Sequence, residues 1–342
     1  MYEKYYGLKE KAFNLTPDPA FLFLNKRSKE ALDQILYGIE RREGFALIVG
    51  DVGTGKTTMC WALLERLQRK DIRTALIQNP MLSETDILKA ILQDLGVHPA
   101  GPKSLPEDAF AQPLDDSSPV QSAPQEIFDT GWMEGMNKKQ LLDRLNMFLA
   151  QRAQENVFTV LIIDEAQNIP MTLLEQLRLL SNLETAKKKL LQIIFVGQLE
   201  LDGKLKSSSM RQLNQRISVR FETKTLSRED TERYIRHRLA IAGGARRLRF
   251  GAGAFRAVRR YSKGYPRLIN LICDRALLVG YAERSFVITR GMVRRAALGL
   301  QGREDTAFRI TPGWVRRYIS FIVPAILLLS VFFFMVFKGL AQ

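Results

Sequence analysis

The residues that build metal centres and redox sites are scarce here. Only two cysteines and two histidines occur in 342 residues. Cys60 and Cys273 each sit in an apolar helical stretch with no metal-ligand spacing. They read as small buried residues of a reducing compartment, not as a disulfide. With only His98 and His237, a histidine-based metal site or a Ser–His triad is excluded as the working chemistry. The amino terminus, Met1-Tyr2-Glu3-Lys4-Tyr5-Tyr6, lacks the apolar core of a signal peptide. No internal repeat is found. Acidic residues are also short, leaving a net charge of +15 with arginine concentrated in the second half. Such a surplus points to an acidic partner (nucleic acid, anionic lipid headgroups or nucleotide) or to a solvated surface beside a membrane.

Hydrophobic content of 46% and charged content of 25% are those of a globular protein, and the length suggests two domains plus accessories. One long apolar run is present. Tyr318 to Phe337 carries no charge, and its length, about 20 residues, matches a helix crossing a bilayer. Pro324 is tolerable there. Arg316 and Arg317 flank one side and Lys338 the other, so the charge bias predicts a single-pass protein with its bulk in the cytoplasm and its C-terminus in the periplasm.

The strongest motif is Gly50-Asp51-Val52-Gly53-Thr54-Gly55-Lys56-Thr57, the G-x-x-x-x-G-K-[ST] phosphate loop. Apolar Phe45–Val49 precedes it, and Thr58 to Leu67 follows with helical apolar spacing. The expected cofactor-binding set is Gly50, Asp51, Val52, Gly53, Thr54, Gly55, Lys56, Thr57 and Thr58. Backbone N–H groups and a helix N-terminus face the phosphates of ATP, Lys56 adds charge, and Thr57 offers a hydroxyl to Mg2+. The run Val157 to Ile163 ends in Asp164-Glu165, the pattern of a buried parallel strand carrying two carboxylates at its tip. Asp164 is the candidate Mg2+ ligand opposite Thr57, and Glu165 the group that polarises attacking water.

Further strands are expected over Ile72–Ile77 and Leu190–Gly197. Gln198 stands at the second tip, either sensing a γ-phosphate or simply starting a loop. Arg211, Arg216 and Arg220 follow; they form a solvated basic face, or reach a nucleotide on a neighbouring subunit. Helices over 230–242, 253–262, 266–281 and 289–300 predict a small all-α domain, with Arg267 at a helix start where it can face phosphates. The organisation expected is a lead segment 1–44, an α/β core 45–224, an all-α lid 225–300, a basic linker 301–317 and a transmembrane helix 318–337. The lead segment's aromatics lie over a nucleotide base or pack on the core. A proline-rich insertion at 97–136, without apolar period, is either a flexible loop or a partner-docking segment with Ile127-Phe128 and Trp132-Met133 as anchors.

These parts together resemble the AAA+ ATPases. More narrowly, the chain resembles the general secretion pathway protein A (ExeA-like) family over roughly residues 1–300. The resemblance is carried by Tyr6-Gly7-Leu8, Thr16-Pro17-Asp18-Pro19, Ile163-Asp164-Glu165-Ala166-Gln167-Asn168, Leu177 to Thr185, Val196-Gly197-Gln198, Leu213-Asn214-Gln215-Arg216-Ile217 and Gly264-Tyr265-Pro266-Arg267-Leu268-Ile269-Asn270. It implies a P-loop NTPase fold with a three-layer parallel sheet and helical lid. It makes Lys56, Glu165, Gln198 and Arg216 the catalytic set, with Gln198 as sensor 1, Arg216 as arginine finger (Arg211 second) and Arg267 as sensor 2. It further implies a homo-oligomeric, ring-forming ATPase at the bacterial inner membrane. Such an ATPase works with a membrane partner on type II secretion, pilus or exopolysaccharide export. Two departures stand out: the long 97–136 loop, and only Gly339-Leu340-Ala341-Gln342 after the apolar run, where secretion-type relatives carry a peptidoglycan-binding region. The second favours the polysaccharide- or pilus-associated branch, or a split system in which a partner supplies the periplasmic part. A DNA-binding, transposition-helper-like ATPase and a nucleotide-switched scaffold are the alternatives. The apolar run argues against nucleic acid as the partner.

Overall fold

A computed structural model describes residues 1–16, 18–69, 71–78, 80, 83–97, 131–181, 184, 189–243 and 247–300. The chain forms two compact units: Pro17–Thr225, and Met1–Thr16 together with the chain from Leu226 onward. It opens on α1 (Tyr2–Tyr6), part of the second unit. The larger unit then runs α2 (Lys26–Glu40), β1 (Phe45–Gly50), α3 (Lys56–Arg66), β2 (Ile72–Ile77), α4 (Glu84–Asp94) and α5 (Lys138–Gln154). It continues through β3 (Phe158–Ile163), α6 (Met171–Leu180), β4 (Leu191–Gly197), α7 (Leu199–Leu205), α8 (Arg211–Asn214) and β5 (Ile217–Thr223).

The five strands make one parallel sheet in the order β2-β3-β4-β1-β5. The three central strands are buried along their whole length, which is why they read as unbroken apolar runs. Alternate residues supply two separate cores. Phe45, Leu47, Val49, Leu161, Ile163, Ile193 and Phe195 join Ile87, Leu141, Leu145, Leu173 and Leu177 of α4, α5 and α6. Ala46, Ile48, Val160, Ile162, Ile194 and Val196 join Leu32, Ile35 and Leu63 of α2 and α3. The result is a three-layer α/β sandwich. Side chains start its helices: Asn25 accepts from the Ser28 N–H at α2, Ser83 from the Asp86 N–H at α4, and Asn137 and Gln140 form a reciprocal capping box at α5. Each such cap contributes about 1 kcal/mol.

The second unit adds α9 (Arg228–Ile241), β6 (Arg249–Phe250), α10 (Ala252–Ser262), α11 (Pro266–Ala282), β7 (Val287–Ile288) and α12 (Arg290–Leu300). Short β6 and β7 pair in parallel among the helices. The amino-terminal arm belongs here. Tyr2, Tyr6 and Phe13 are buried. The Tyr2 hydroxyl donates to Asp274 and the Tyr6 hydroxyl to the Leu277 carbonyl at 3.1 Å. Buried Arg238 of α9 donates to the Ala12 and Asn14 carbonyls. The arm's aromatics are therefore core residues of the helical unit.

Two expectations are corrected. Among the described residues no helix is long and apolar enough to cross a membrane. The longest, α5 and α11, have 17 residues each, about 25 Å at helical rise, which is short of a bilayer's roughly 30 Å core. Both also carry charges. The transmembrane helix placed at 318–337 lies outside the described residues, as does the linker 301–317. The single-pass inner-membrane localisation, with a cytoplasmic ATPase domain and periplasmic C-terminus, rested on that helix and is withdrawn with it. The second correction concerns the 97–136 insertion, most of which, including Ile127-Phe128, is also outside the described residues. At its end Met133 is buried and Trp132 packs on the same core, with the Arg144 guanidinium 5.5 Å from the ring centroid. These two side chains stabilise this chain's own fold and are not partner-facing anchors.

Candidate functional site

Because β4 lies between β1 and β3, the tips of three adjacent strands gather the candidate residues. Val49 is level with Gly197, and Ile163 with Phe195. Gly50, Gln198 and Asp164 thus follow one another along the carboxyl edge of the sheet, where open parallel sheets bind ligands.

The loop after β1 is tightly held. A Cβ on Gly50 would lie 1.9 Å from the Thr223 hydroxyl and 2.8 Å from its carbonyl oxygen, so only glycine fits beside β5. Thr54 and Thr223 share a hydroxyl hydrogen bond of 2.7 Å, and Thr54 also donates to the Asp51 carbonyl at 2.7 Å. Exposed Val52 takes its N–H to the Asp51 carboxylate at 2.7 Å. Gly55 enters α3 at φ 100°, left-handed backbone that glycine adopts without strain. The Lys56 ammonium is buried and donates to the Gly50 and Asp51 carbonyls, 3.0 Å each. It is therefore held inside the loop curve, where nucleotide phosphates would meet it.

Across the sheet edge the Thr57 hydroxyl donates to an Asp164 carboxylate oxygen at 3.4 Å. Burial pushes the Asp164 carboxyl above the ordinary carboxylate range. The Glu165 N–H, 2.8 Å away, and the Thr57 and Lys56 side chains pull it back, while the Glu165 charge adds to the rise. A divalent cation here would relieve that burial penalty. A hydroxyl and a carboxylate are the hard oxygen donors Mg2+ takes when phosphates and water complete its shell. Among the described residues no group of three or more His, Cys, Asp or Glu could hold a metal unaided, so the nucleotide would have to contribute. Thr57 and Asp164 fit Mg2+ in that shared role; when bound, it would neutralise phosphate charge.

Glu165 occupies left-handed backbone, φ 53°, ψ 33°, a strained conformation for a non-glycine residue of the kind that collects at functional sites. Its carboxylate accepts from the Gln167 amide at 2.6 Å, and the Gln167 oxygen accepts the Gln198 N–H at 3.0 Å. Lysine 56, Thr57, Asp164, Glu165 and Gln198 are thereby brought together. Thr58 follows, half-buried, in the first turn of α3. Behind the loop, burial raises the Cys60 thiol, with the Asp164 charge adding, so Cys60 is an inert packing residue.

The arginines of the larger unit lie elsewhere. Ile217 pairs with Phe45 at the opposite end of β1 from Gly50, so Arg216 sits roughly 16 Å down the sheet from the phosphate loop of its own chain. There it is half-buried, and its charge helps hold the Glu175 carboxyl low, after the hydrogen bond from Arg178. Arg220 is bound to Asp202 at 2.8 Å, and Arg211 is exposed. Arg267 is exposed in the first turn of α11, in the helical unit. Residue patterns missed three members of the site. Thr223 lies in a strand the apolar spacing does not reveal, Lys204 anchors the Gln167 and Ile169 carbonyls, and Gln167 sits in a short turn with no periodicity.

A phosphate loop and a carboxylate pair separated by an inserted strand with a polar tip are the arrangement of an AAA+ ATPase. The family described as AAA domain matches residues 39–205. Within the class the chain is related to general secretion pathway protein A of Aeromonas hydrophila, 37% identical over 305 residues. That alignment covers 89% of this chain and 49% of the relative, so the chain spans about half the relative's length. The fold is also similar to the ORC2 protein of Aeropyrum pernix, with TM-score 0.57 and 15% identity over 88% of this chain and 73% of that one. It is similar as well to Cdc6p of Pyrobaculum aerophilum, with TM-score 0.58 and 17% identity over 83% and 69%.

Proposed function

We propose that the chain couples ATP hydrolysis at this site to the assembly or operation of a bacterial envelope export system of the type II secretion, pilus or exopolysaccharide kind. It would act as a nucleotide-dependent homo-oligomer with a protein partner in that machinery. Lys56 and the loop N–H groups hold the phosphates, Thr57 and Asp164 hold Mg2+, Glu165 polarises water, and Gln198 reads the γ-phosphate. Arg216 acts on a neighbour's nucleotide, and Arg267 contacts phosphate when the lid closes. The observation carrying the reading is the Lys56–Thr57–Asp164–Glu165 cluster in a relative of general secretion pathway protein A. Glu165→Gln should keep ATP binding, lower turnover at least about 100-fold and block export in a cell that depends on this protein. Unchanged turnover and export would refute it.

One observation favours a second reading, nucleic acid as the acidic partner: arginine far outnumbers acidic residues over 226–300. Salt-dependent duplex binding by the full chain would support it, and no binding at low salt would remove it.

A further inference from the structure

The Gln167 side chain bonds both to the Glu165 carboxylate and to the strand tip beside it. Its carboxamide oxygen accepts the Gln198 backbone N–H at 3.0 Å. A backbone N–H can only donate, so the oxygen must face it, and the amide nitrogen must face Glu165, 2.6 Å away. The orientation of the amide is thus fixed by chemistry. The turn that carries Gln167 is pinned as well. Lys204 of α7 donates to the Gln167 carbonyl at 2.9 Å and to the Ile169 carbonyl at 2.8 Å. A Cβ on Gly197 would lie 2.9 Å from the Gln167 oxygen, so β4 is built to let this side chain come close.

From this geometry we infer that Gln167 is a positioning residue for ATP hydrolysis. It orients the Glu165 carboxylate and links it to the Gln198 strand tip, so that a displacement of the tip by the γ-phosphate is transmitted to the group that polarises water. Its carboxamide is engaged by the Glu165 carboxylate and the Gln198 N–H, so Gln167 acts through Glu165. The inference rests on the proposed role of Glu165.

The link predicts an effect on turnover and not on affinity. Gln167→Met keeps length and volume but removes both hydrogen bonds. Gln167→Glu keeps the shape and the acceptor but removes the donor. In the full-length chain both should lower kcat about 10- to 100-fold, the loss expected from misplacing a catalytic group by about 1 Å, with KM for ATP within about twofold of the parent. The Glu165→Gln/Gln167→Met double variant should be no slower than Glu165→Gln alone, because Gln167 acts through Glu165.

A kcat for Gln167→Met within about twofold of the parent would overturn the inference. So would a double variant whose loss is the product of the two single losses. Loss of ATP-analogue binding by both Gln167 variants would also overturn it, assigning the residue to the fold. If Glu165→Gln itself turns ATP over, the proposed role of Glu165 fails and this inference with it. If Glu165→Gln is inactive while Gln167→Met is not, only this inference fails.

Discussion

At the scale of single residues, the phosphate loop separates two reasons for a glycine. Gly55 has open space for a Cβ but a φ of 100°, whereas Gly50 would drive a Cβ into Thr223. Gly55→Ala should therefore cost only the left-handed strain, about 1–2 kcal/mol, read as a lower denaturant midpoint. Gly50→Ala should displace the end of β5 and abolish binding of a fluorescent ATP analogue. If the two variants were equally impaired, the steric account of Gly50 would be wrong. Lysine 56, Thr57, Asp164 and Glu165 were legible in the sequence because phosphate and magnesium chemistry demands those types at fixed places in a strand–loop–helix. The roles of Gln167 and Thr223 were not legible. Their importance comes from contacts across 31 and 169 residues of chain, and no local spacing encodes such contacts.

Elements show the same division. Central strands declare themselves by unbroken apolar runs. Edge strand β5 does not, because exposed Ser218, Arg220 and Glu222 alternate with its buried and half-buried residues. Arg220, with Arg211 and Arg216 before the strand, reads as a basic face until the pairing with β1 is seen. Helix packing supplies a pH-dependent device. Glu84 of α4 receives hydrogen bonds from Thr172 and Gln176 of α6 and Lys138 of α5, which lower its carboxyl to about 2. A carboxyl lowered by folding adds stability that is complete above the ordinary carboxylate range and is lost as pH falls toward about 2. Glu84→Gln should thus flatten the acid limb of a stability–pH curve between about pH 5 and 2; an unaltered slope would exclude Glu84 as its source. Within β4, Gln192 is fully buried and neither side-chain polar atom has a hydrogen-bond partner among the described residues. An unmet buried amide costs about 1–3 kcal/mol. Gln192→Met should raise the thermal midpoint by about 2–4 °C, measured by calorimetry, and a lowered midpoint would mean that the amide is satisfied.

For the whole molecule, register along β1 bears on assembly. Arg216 stands at the end of the sheet remote from its own Lys56, so its proposed action is on a nucleotide held by another copy. Lys56→Ala and Arg216→Ala should each be inactive alone and regain partial ATP turnover when mixed, since one supplies the arginine and the other the nucleotide. Mixed assemblies that form yet stay inactive would exclude Arg216 from that role. The three-layer sheet was readable from motif order and apolar runs. The pairing of the first 16 residues with the chain beyond Leu226 was not, because an aromatic arm looks the same whichever surface it packs on. That pairing has a consequence for biosynthesis. At about 5–20 residues per second, Tyr2, Tyr6 and Phe13 leave the ribosome many seconds before α9, α10 and α11 exist to cover them. The α/β unit between can fold on the way out. The helical unit can close only once α11 has emerged, so Tyr2 waits for Asp274, 272 residues further along the chain.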